Sequence, residues 1–365
     1  MAIFYNEKLL TKLSFDNDNK MFSLSSHNDD IFINVPYVPK LEDENYDENE
    51  FSVYLFENNH LNAENDVFQL YDKDKKERIG WIFPISVLES NENDFSDNEH
   101  LNKYKFVTYK ILLSHNFQFK SNIYEINTEL SLSQVYGEDT IICVLSKEKI
   151  NDVNFNILSY IPNFATYGYY EKNENKLTFK YPNNLIVDSF RGKQKLSIKK
   201  ANNKILQLDF VKKLYNSYLK TLDHHLIRFH LLYQIIEYLI TENFSTEFDQ
   251  LLIKYNNGEF TKNNFLEKIN DIRSERKNIN KIFTNINFKT GTFEHQVKIN
   301  IERTIKDFLR NLGVEEKNHI GDLIYDTRNI ITHNYREIKN ENLDLLNEIS
   351  YLFEILINEI IIKSP

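Results

Sequence analysis

The spacing of apolar residues divides the chain into two parts. In the first part, short runs of β-branched and aromatic residues recur between polar loops. The runs are IFINVPYV from Ile31, FSVYLF from Phe51, VFQLY from Val67, RIGWIFP from Arg78, FVTYKILL from Phe106, IYEINTELSL from Ile123, IICVL from Ile141 and ATYGYYEKNENKLTFKY, a predicted hairpin, from Ala165. Strands this close together predict an antiparallel all-β domain that is sandwich-like or a jelly roll.

In the second part, from Ile205 onward, the apolar period is that of helices. The segment TLDHHLIRFHLLYQIIEYLI places five residues on one apolar stripe: Leu226, Phe229, Tyr233, Ile236 and Ile240. FEHQVKINIERTIKDFLRNLG predicts a long helix with Gly313 as its stop. We therefore predict an α+β chain of two domains, with an antiparallel all-β domain at residues 1–190 and an all-α helical bundle at residues 191–365.

Membrane and secretion signals are not evident in the sequence. The last helix, NEISYLFEILINEIIIKSP, is interrupted by Glu354 and Glu359 and falls short of a membrane span, so we expect it to be buried in the bundle or against a second subunit. The first residues lack a long apolar run after a basic start, so we expect no signal peptide. A single cysteine, Cys143, excludes a disulfide within the chain and fits a reducing, cytoplasmic location.

The net charge of −10 is unevenly distributed. Residues 1–100 hold 22 acidic and 8 basic side chains, whereas the remainder has a net charge of +4. Two acidic stretches, Leu41 to Glu50 and Ser90 to Glu99, are expected to be exposed loops, which either serve solubility or repel nucleic acid from all but one cleft. Only 8 glycines are present and none forms a phosphate-binding loop, which argues against a mononucleotide-binding αβ fold.

Basic residues concentrate near the predicted domain junction. Residues 181–220 carry nine bases and two acids, and the bases include Lys193, Lys195, Lys199 and Lys200. These four lysines are candidates for RNA binding, because phosphate contacts provide most sequence-independent affinity. A lysine-rich linker followed by the outer face of a helix explains the same pattern without a ligand, so both interpretations stay open.

A late amphipathic segment, IGDLIYDTRNIITHNYREI, contains the candidate chemistry. At 100° per residue, the apolar side comprises Ile320, Leu323, Ile324, Thr327, Ile330 and Ile331. The polar side, available for chemistry, comprises Asp322, Tyr325, Asp326, Asn329, His333 and Arg336. Arg328 and His333 point roughly 140° apart on an ideal helix. One helix therefore cannot easily bring both to one atom unless its end is distorted or a second copy contributes across a two-fold axis.

These residues resemble the HEPN ribonuclease superfamily, whose mark is an arginine, four to six residues and a histidine on a late helix of a short bundle. Here the match is Arg328, four residues and His333, with the polar Asn329 after the arginine and Tyr335 two residues after the histidine. HLLYQIIEYLI, with Tyr233 and Glu237, is similar to the aromatic and acidic helix of that family. The resemblance covers about the last 160 residues.

The resemblance implies a metal-independent endoribonuclease that leaves 2′,3′-cyclic phosphate and 5′-hydroxyl ends and uses a composite site in a homodimer. His333 would be the acid or base, Arg328 the phosphate binder and Asn329 the group that orients one of them. Supporting roles would fall to Glu237, Asp326 and Tyr335, the last resembling a tyrosine that is modified in toxin members. The sequence offers no clustered Cys and His set and no close trio of acids, so we expect no metal and no cofactor.

The arrangement of a β-rich front and a HEPN end resembles ApeA-like abortive-infection proteins that defend against phage. That likeness implies a sensing or restraining β domain, a phage-derived trigger or inhibitory partner, and tRNA or another RNA as substrate. Two alternatives remain. In one, the helical domain is a non-catalytic dimerisation or binding module; in the other, the β domain is a ligand receptor and the bundle only an oligomerisation stalk.

Overall fold

The computed structural model describes residues 2–5, 8–28, 32–39, 46–58, 66–114, 120–123, 129–152, 155–172, 194–201, 203–315, 317–333 and 335–363. The chain forms two compact units, Met1–Lys200 and Ala201–Pro365. The first unit extends ten residues beyond the predicted boundary at residue 190. Its final strand explains this, since Lys195–Ile198 pairs in parallel with Phe68–Asp72 and so belongs to the sheet.

Two sheets make up the β region of the first unit. In chain order the strands are β1 Ala2–Tyr5, β2 Lys8–Asp16, β3 Met21–Ser26, β4 Phe32–Pro36, β5 Phe51–Asn58, β6 Phe68–Asp72, β7 Arg78–Pro84, β8 Lys120–Ile123, β9 Thr140–Ser146, β10 Tyr169–Glu171 and β11 Lys195–Ile198. The five-stranded sheet has the order β4-β3-β2-β1-β8, and the six-stranded sheet has the order β10-β5-β9-β7-β6-β11.

The six-stranded sheet is covered on both faces at its centre. Every residue of β9 is buried, and successive side chains of a strand point to opposite faces. Ile142 and Val144 join one apolar cluster, whereas Ile141, Cys143 and Leu145 join a second cluster on the other face. This explains why IICVL is uniformly apolar, because a strand buried on both faces has no polar side.

Short helices and one long helix accompany the sheets. They are α1 Ser86–Glu89, α2 Glu99–Leu113, α3 Leu132–Tyr136, α4 Lys147–Ile150 and α5 Ile161–Thr166, with 3₁₀ turns at Glu48–Glu50 and Ile157–Tyr160. Val107, Tyr109 and Leu112 of α2 pack in the same core cluster as Phe22 of β3 and Trp81 of β7. The first unit is therefore a β region with a buried helix.

The prediction of an entirely antiparallel, all-β front domain is wrong in two respects. FVTYKILL, predicted as a strand, is the second half of α2, which begins after Asn98, whose side chain accepts a hydrogen bond from the Leu101 amide at 3.0 Å. A short, mostly apolar run fits a buried helix as well as a buried strand, and the asparagine cap was the missed signal. In addition, β1 pairs with β8, and β6 with β11, in parallel.

Two further predicted strands differ from the structure. In IYEINTELSL, Ile123 ends β8, residues 124–128 lie outside the described residues, and Leu132 begins α3, with a capping box between Ser131 and Gln134. The predicted hairpin from Ala165 to Tyr181 starts at the end of α5, continues in β10, and from residue 173 lies outside the described residues. The partner of β10 is β5.

The second unit is helical, as predicted. Its helices are α6 Asn203–Leu206, α7 Asp209–Lys213, α8 Leu219–Thr221, α9 His225–Asn256, α10 Lys262–Ile272, α11 Glu275–Asn285, α12 Phe293–Asn311, α13 Ile320–His333 and α14 Leu343–Lys363, with a π-helical turn at Leu214–Tyr218 and 3₁₀ turns at Tyr335–Glu337 and Asn340–Asn342. Gly313 has a φ of 70° and ends α12 as expected, since glycine adopts this left-handed conformation without strain.

The last helix, α14, is the centre of this unit. From Ile349 to Ile362 every side chain is buried, which confirms its predicted place inside the bundle. Glu354 is accommodated because Arg228 of α9 donates a hydrogen bond from Nε to its Oε2 at 2.9 Å, with both side chains 2% exposed. Among the helices of the described residues, none has the length and apolar character needed to cross a membrane.

Candidate functional site

The helix that carries the Arg328 to His333 motif, α13, begins with a histidine cap. The His319 carbonyl accepts a hydrogen bond from the Leu323 amide at 3.1 Å, and its Nδ1 accepts one from the Gly321 amide at 3.2 Å. On the predicted apolar side, the first four residues, Ile320, Leu323, Ile324 and Thr327, are buried. The last two, Ile330 and Ile331, are only half-buried. The end of the helix is therefore less enclosed than its beginning.

The beginning of the predicted polar side is covered by α11. Arg276 forms ion pairs with Asp322, at 3.4 Å, and with Asp326, and its guanidinium carbon lies 4.7 Å from the centre of the Tyr325 ring. Asn280 of α11 also donates a hydrogen bond to Asp322 at 3.0 Å. The prediction that this whole face is available for chemistry is thus wrong for its first half, because a neighbouring helix uses those groups for packing.

Arg328 is held by side chains from two helices. Its Nη1 donates a hydrogen bond to Asn329 Oδ1 at 3.1 Å, and its Nη2 lies 3.6 Å from Glu237 Oε1 of α9. Its guanidinium carbon is 5.5 Å from the centre of the Tyr233 ring, within the range of a cation–π contact. Three predicted site residues, Arg328, Asn329 and Glu237, are therefore brought together with Tyr233 beside them, and 23% of the Arg328 side chain stays exposed.

Tyr233 is completely buried beneath that guanidinium. Its hydroxyl donates a hydrogen bond to Glu275 Oε1, at the first residue of α11, at 2.8 Å. Burial, followed by this hydrogen bond and the negative charge of Glu275, raises the pKa of Tyr233 above its ordinary value. The hydroxyl therefore stays protonated at neutral pH and donates its hydrogen to the Glu275 carboxylate.

His333 is the last residue of α13 and is exposed to solvent. Within the described part of the chain, its imidazole makes no hydrogen bond and no ion pair. Because α13 is helical from Ile320 through His333, the predicted angle of roughly 140° between the Arg328 and His333 directions still applies. Tyr335 follows in a 3₁₀ turn and is 45% exposed.

Three of the candidate lysines, Lys195, Lys199 and Lys200, lie in the first unit, at or after the edge strand β11. Lys195 stands 5.1 Å from the centre of the Tyr71 ring, Lys199 pairs with Asp74 at 3.5 Å, and Lys200 pairs with Asp152 at 3.3 Å. Lys193 lies outside the described residues. Edge strands commonly carry lysine, which hinders pairing with another sheet. These contacts favour the interpretation without a ligand, since two of the charges already have acidic neighbours.

Sequence reasoning missed three residues of this site: Glu275, Arg276 and Asn280. All lie on α11, in the segment SERKNIN, which has no recognisable motif. Ser274 as a helix cap followed by Glu275 marks the start of α11, but that signal does not reveal which helix α11 contacts.

Comparison of the chain with protein-family models, with curated proteins and with solved structures finds no match. Within the described ranges, no three His, Cys, Asp or Glu side chains are grouped so that they could hold a metal ion. What this site does must therefore be argued from its side chains.

Proposed function

We propose that the second unit is a HEPN-type endoribonuclease that cuts RNA without a metal ion. The observation that supports this most is that the Arg328 guanidinium is held in place and still has N–H groups available to bind a ligand. Its guanidinium rests on Tyr233 and is oriented by Asn329 and Glu237, yet within the described residues only one of its five N–H groups makes a hydrogen bond. A fixed guanidinium with remaining donors suits a phosphate group and the charge that develops on it.

The chemistry uses the ribose 2′-hydroxyl as the nucleophile. Its oxygen forms a bond to phosphorus, the bond from phosphorus to the 5′-oxygen breaks, and the products carry a 2′,3′-cyclic phosphate and a 5′-hydroxyl. His333 accepts the 2′-hydroxyl proton or donates a proton to the departing 5′-oxygen, because an imidazole nitrogen can serve as a general base or, when protonated, as a general acid. DNA is not a substrate, since it lacks the attacking hydroxyl.

A second copy of the chain completes the site in this proposal. Arg328 and His333 of one α13 point in different directions, so one phosphate meets both groups most simply when they come from two subunits related by a two-fold axis. A homodimer with a composite cleft satisfies this requirement.

The first experiment measures cleavage of a tRNA mixture by the purified protein in EDTA. We expect the wild type to cut RNA and leave a DNA strand of matched length intact. His333→Ala should lower the rate by at least about 100-fold, because it removes the proton-transfer group. His230→Ala is the matched control, since His230 is an exposed histidine elsewhere on the same unit.

Unchanged cleavage in His333→Ala would remove the assignment. A wild-type protein that dimerises without cutting any RNA would favour a non-catalytic dimerisation or binding module instead.

In the cell, we propose a cytoplasmic role in abortive infection or as a toxin, with the β region of the first unit sensing a phage-derived trigger or restraining the nuclease. Survival of infected cells expressing His333→Ala tests that role.

A further inference from the structure

A chain of contacts connects α11 to Arg328 through the interior of the second unit. Glu275 accepts the hydrogen bond of the Tyr233 hydroxyl at 2.8 Å, and the face of the same ring lies 5.5 Å from the Arg328 guanidinium carbon. Three helices, α11, α9 and α13, thus contribute one residue each. Neither Glu275 nor Arg276 belongs to the Arg328 to His333 motif.

A carboxylate at position 275 affects both the position and the charge environment of the Tyr233 ring. A buried tyrosine hydroxyl requires an acceptor, and a charged acceptor makes a stronger hydrogen bond than a neutral one. The hydrogen bond restrains the ring at its hydroxyl end, and the charge of the carboxylate bound there adds negative potential at both faces of the ring. Both effects hold the guanidinium in one position above the ring.

The first turn of α11 is itself fixed to the motif helix. Arg276, the residue after Glu275, pairs with Asp322 and Asp326 of α13 and covers Tyr325. Glu275 therefore cannot move relative to α13 without breaking these pairs. The position of the Glu275 carboxylate relative to α13 is therefore restrained by the ion pairs of Arg276 and by the hydrogen bond from Tyr233.

We infer that Glu275 is a positioning residue, which acts through the Tyr233 ring to hold the Arg328 guanidinium where it meets an RNA phosphate. This inference rests on the proposed nuclease function for its kinetic consequences, although the restraint on Arg328 exists without it. Glu275 does not touch RNA in this account. It stabilises the transition state indirectly, because a guanidinium that is already in place can bind the negative charge that develops on the phosphate.

Three substitutions test the inference by steady-state cleavage kinetics. Tyr233→Phe keeps the ring and removes the hydroxyl, whereas Glu275→Ala removes the acceptor. Each should lower kcat about tenfold and change KM less than about twofold, since ground-state binding of RNA is little affected. Glu275→Gln keeps an acceptor oxygen but loses the negative charge, so it should recover only part of the lost rate.

Matched controls separate positioning from a general effect on the fold. Tyr238→Phe removes the hydroxyl of a half-buried tyrosine on the same helix, and Glu267→Ala removes an exposed carboxylate of α10. Both should leave kcat unchanged. If Glu275→Ala fails to fold, Tyr233→Phe decides the outcome, because it deletes a single oxygen atom.

A second measurement does not depend on activity. Nuclear magnetic resonance of protein labelled with ¹⁵N at arginine reports the mobility of the Arg328 Nε–H bond, with Arg328→Lys assigning the signal. Greater mobility in Tyr233→Phe and Glu275→Ala than in wild type supports the inference, whether or not the wild type cuts RNA. Unchanged mobility, or unchanged kcat in an active enzyme, overturns it. Failure of the nuclease proposal is distinct, since it is the absence of cleavage in wild type.

Discussion

Lys105 is buried, although lysine side chains are ordinarily exposed to solvent. It lies on α2 in the first unit with no exposed surface, and its amino group has no hydrogen-bond partner among the residues that the structure describes. Burial lowers the pKa of Lys105 from its ordinary value to about 8, because the charged form is disfavoured where water is excluded. Between pH 8 and the ordinary lysine pKa near 10.5, the unfolded chain therefore binds more protons at this position than the folded chain.

Lys105→Met should stabilise the protein in a way that depends on pH. Below pH 8 the lysine is charged in both the folded and the unfolded chain, so folding carries the full free-energy cost of burying a charged amino group. The free energy of unfolding of the variant should therefore exceed that of wild type by about 3 kcal/mol at pH 7. The advantage should shrink to less than half of that at about pH 9.5, because the folded lysine is neutral there and the free-energy cost of removing its proton falls as the pH approaches 10.5. Urea unfolding at both pH values measures this.

The exposed Lys149 provides the control for that experiment. Lys149→Met should change the free energy of unfolding by less than about 0.5 kcal/mol at either pH. A Lys105→Met advantage that is the same at pH 7 and pH 9.5 would show that packing, rather than the charge, is responsible.

At the scale of elements, the candidate site depends on the packing of α11 against α13. At Gly321 of α13, a β-carbon would lie 2.9 Å from both the backbone nitrogen and the Cα of Asn280. The two helices therefore approach as closely as only glycine permits. This proximity places Arg276 within reach of Asp322 and Asp326.

Gly321→Ala should push α11 away from α13. We expect a loss of about 1 to 3 kcal/mol in free energy of unfolding, typical of overpacking against backbone, together with slower RNA cleavage because Glu275 and Arg276 move with α11. Thermal or urea unfolding and the tRNA assay measure the two effects. Asn270→Ala, at an exposed position of α10, should be neutral in both, and equal behaviour of the two variants would contradict a close contact at Gly321.

At the scale of the whole molecule, charge and chemistry belong to different parts of the chain. Residues 1–100 carry the excess of acidic side chains, whereas Arg328 and His333 lie in the second unit. An acidic first unit is unfavourable for RNA, so binding should depend on the second unit and weaken as salt concentration rises. In the proposed nuclease, the angle between Arg328 and His333 implies a requirement for a second copy of the chain.

Mixing two inactive variants tests that requirement. If Arg328 and His333 of one site come from different subunits, an Arg328→Ala subunit paired with a His333→Ala subunit has one intact site and one site that lacks both groups. After equal amounts of the two variants are unfolded together and refolded, activity should return to about a quarter of wild type. Activity that stays at the level of the separate variants would show that one subunit supplies both residues.

The sequence by itself determined the helical second unit, the bounds of α13 to within the motif segment, and the burial of α14. Each follows from local physics, because a period of 3.6 residues shows which side of a helix is apolar and a glycine such as Gly313 marks where a helix ends. The resemblance to a known family also selected Glu237 as a supporting residue, whereas the contact of Tyr233 with Arg328 was not predicted.

Only the tertiary structure decided what covers the polar side of α13 and what holds Tyr233. The Tyr233 to Glu275 and Arg276 to Asp326 contacts join residues 42 and 50 positions apart, and no spacing rule reaches that far. The same limit explains the error at α2, since six of the eight residues of FVTYKILL are apolar and their spacing alone does not distinguish a buried helix from a buried strand. Periodicity reveals that a face is buried, whereas the identity of the neighbour that buries it depends on how the whole chain packs.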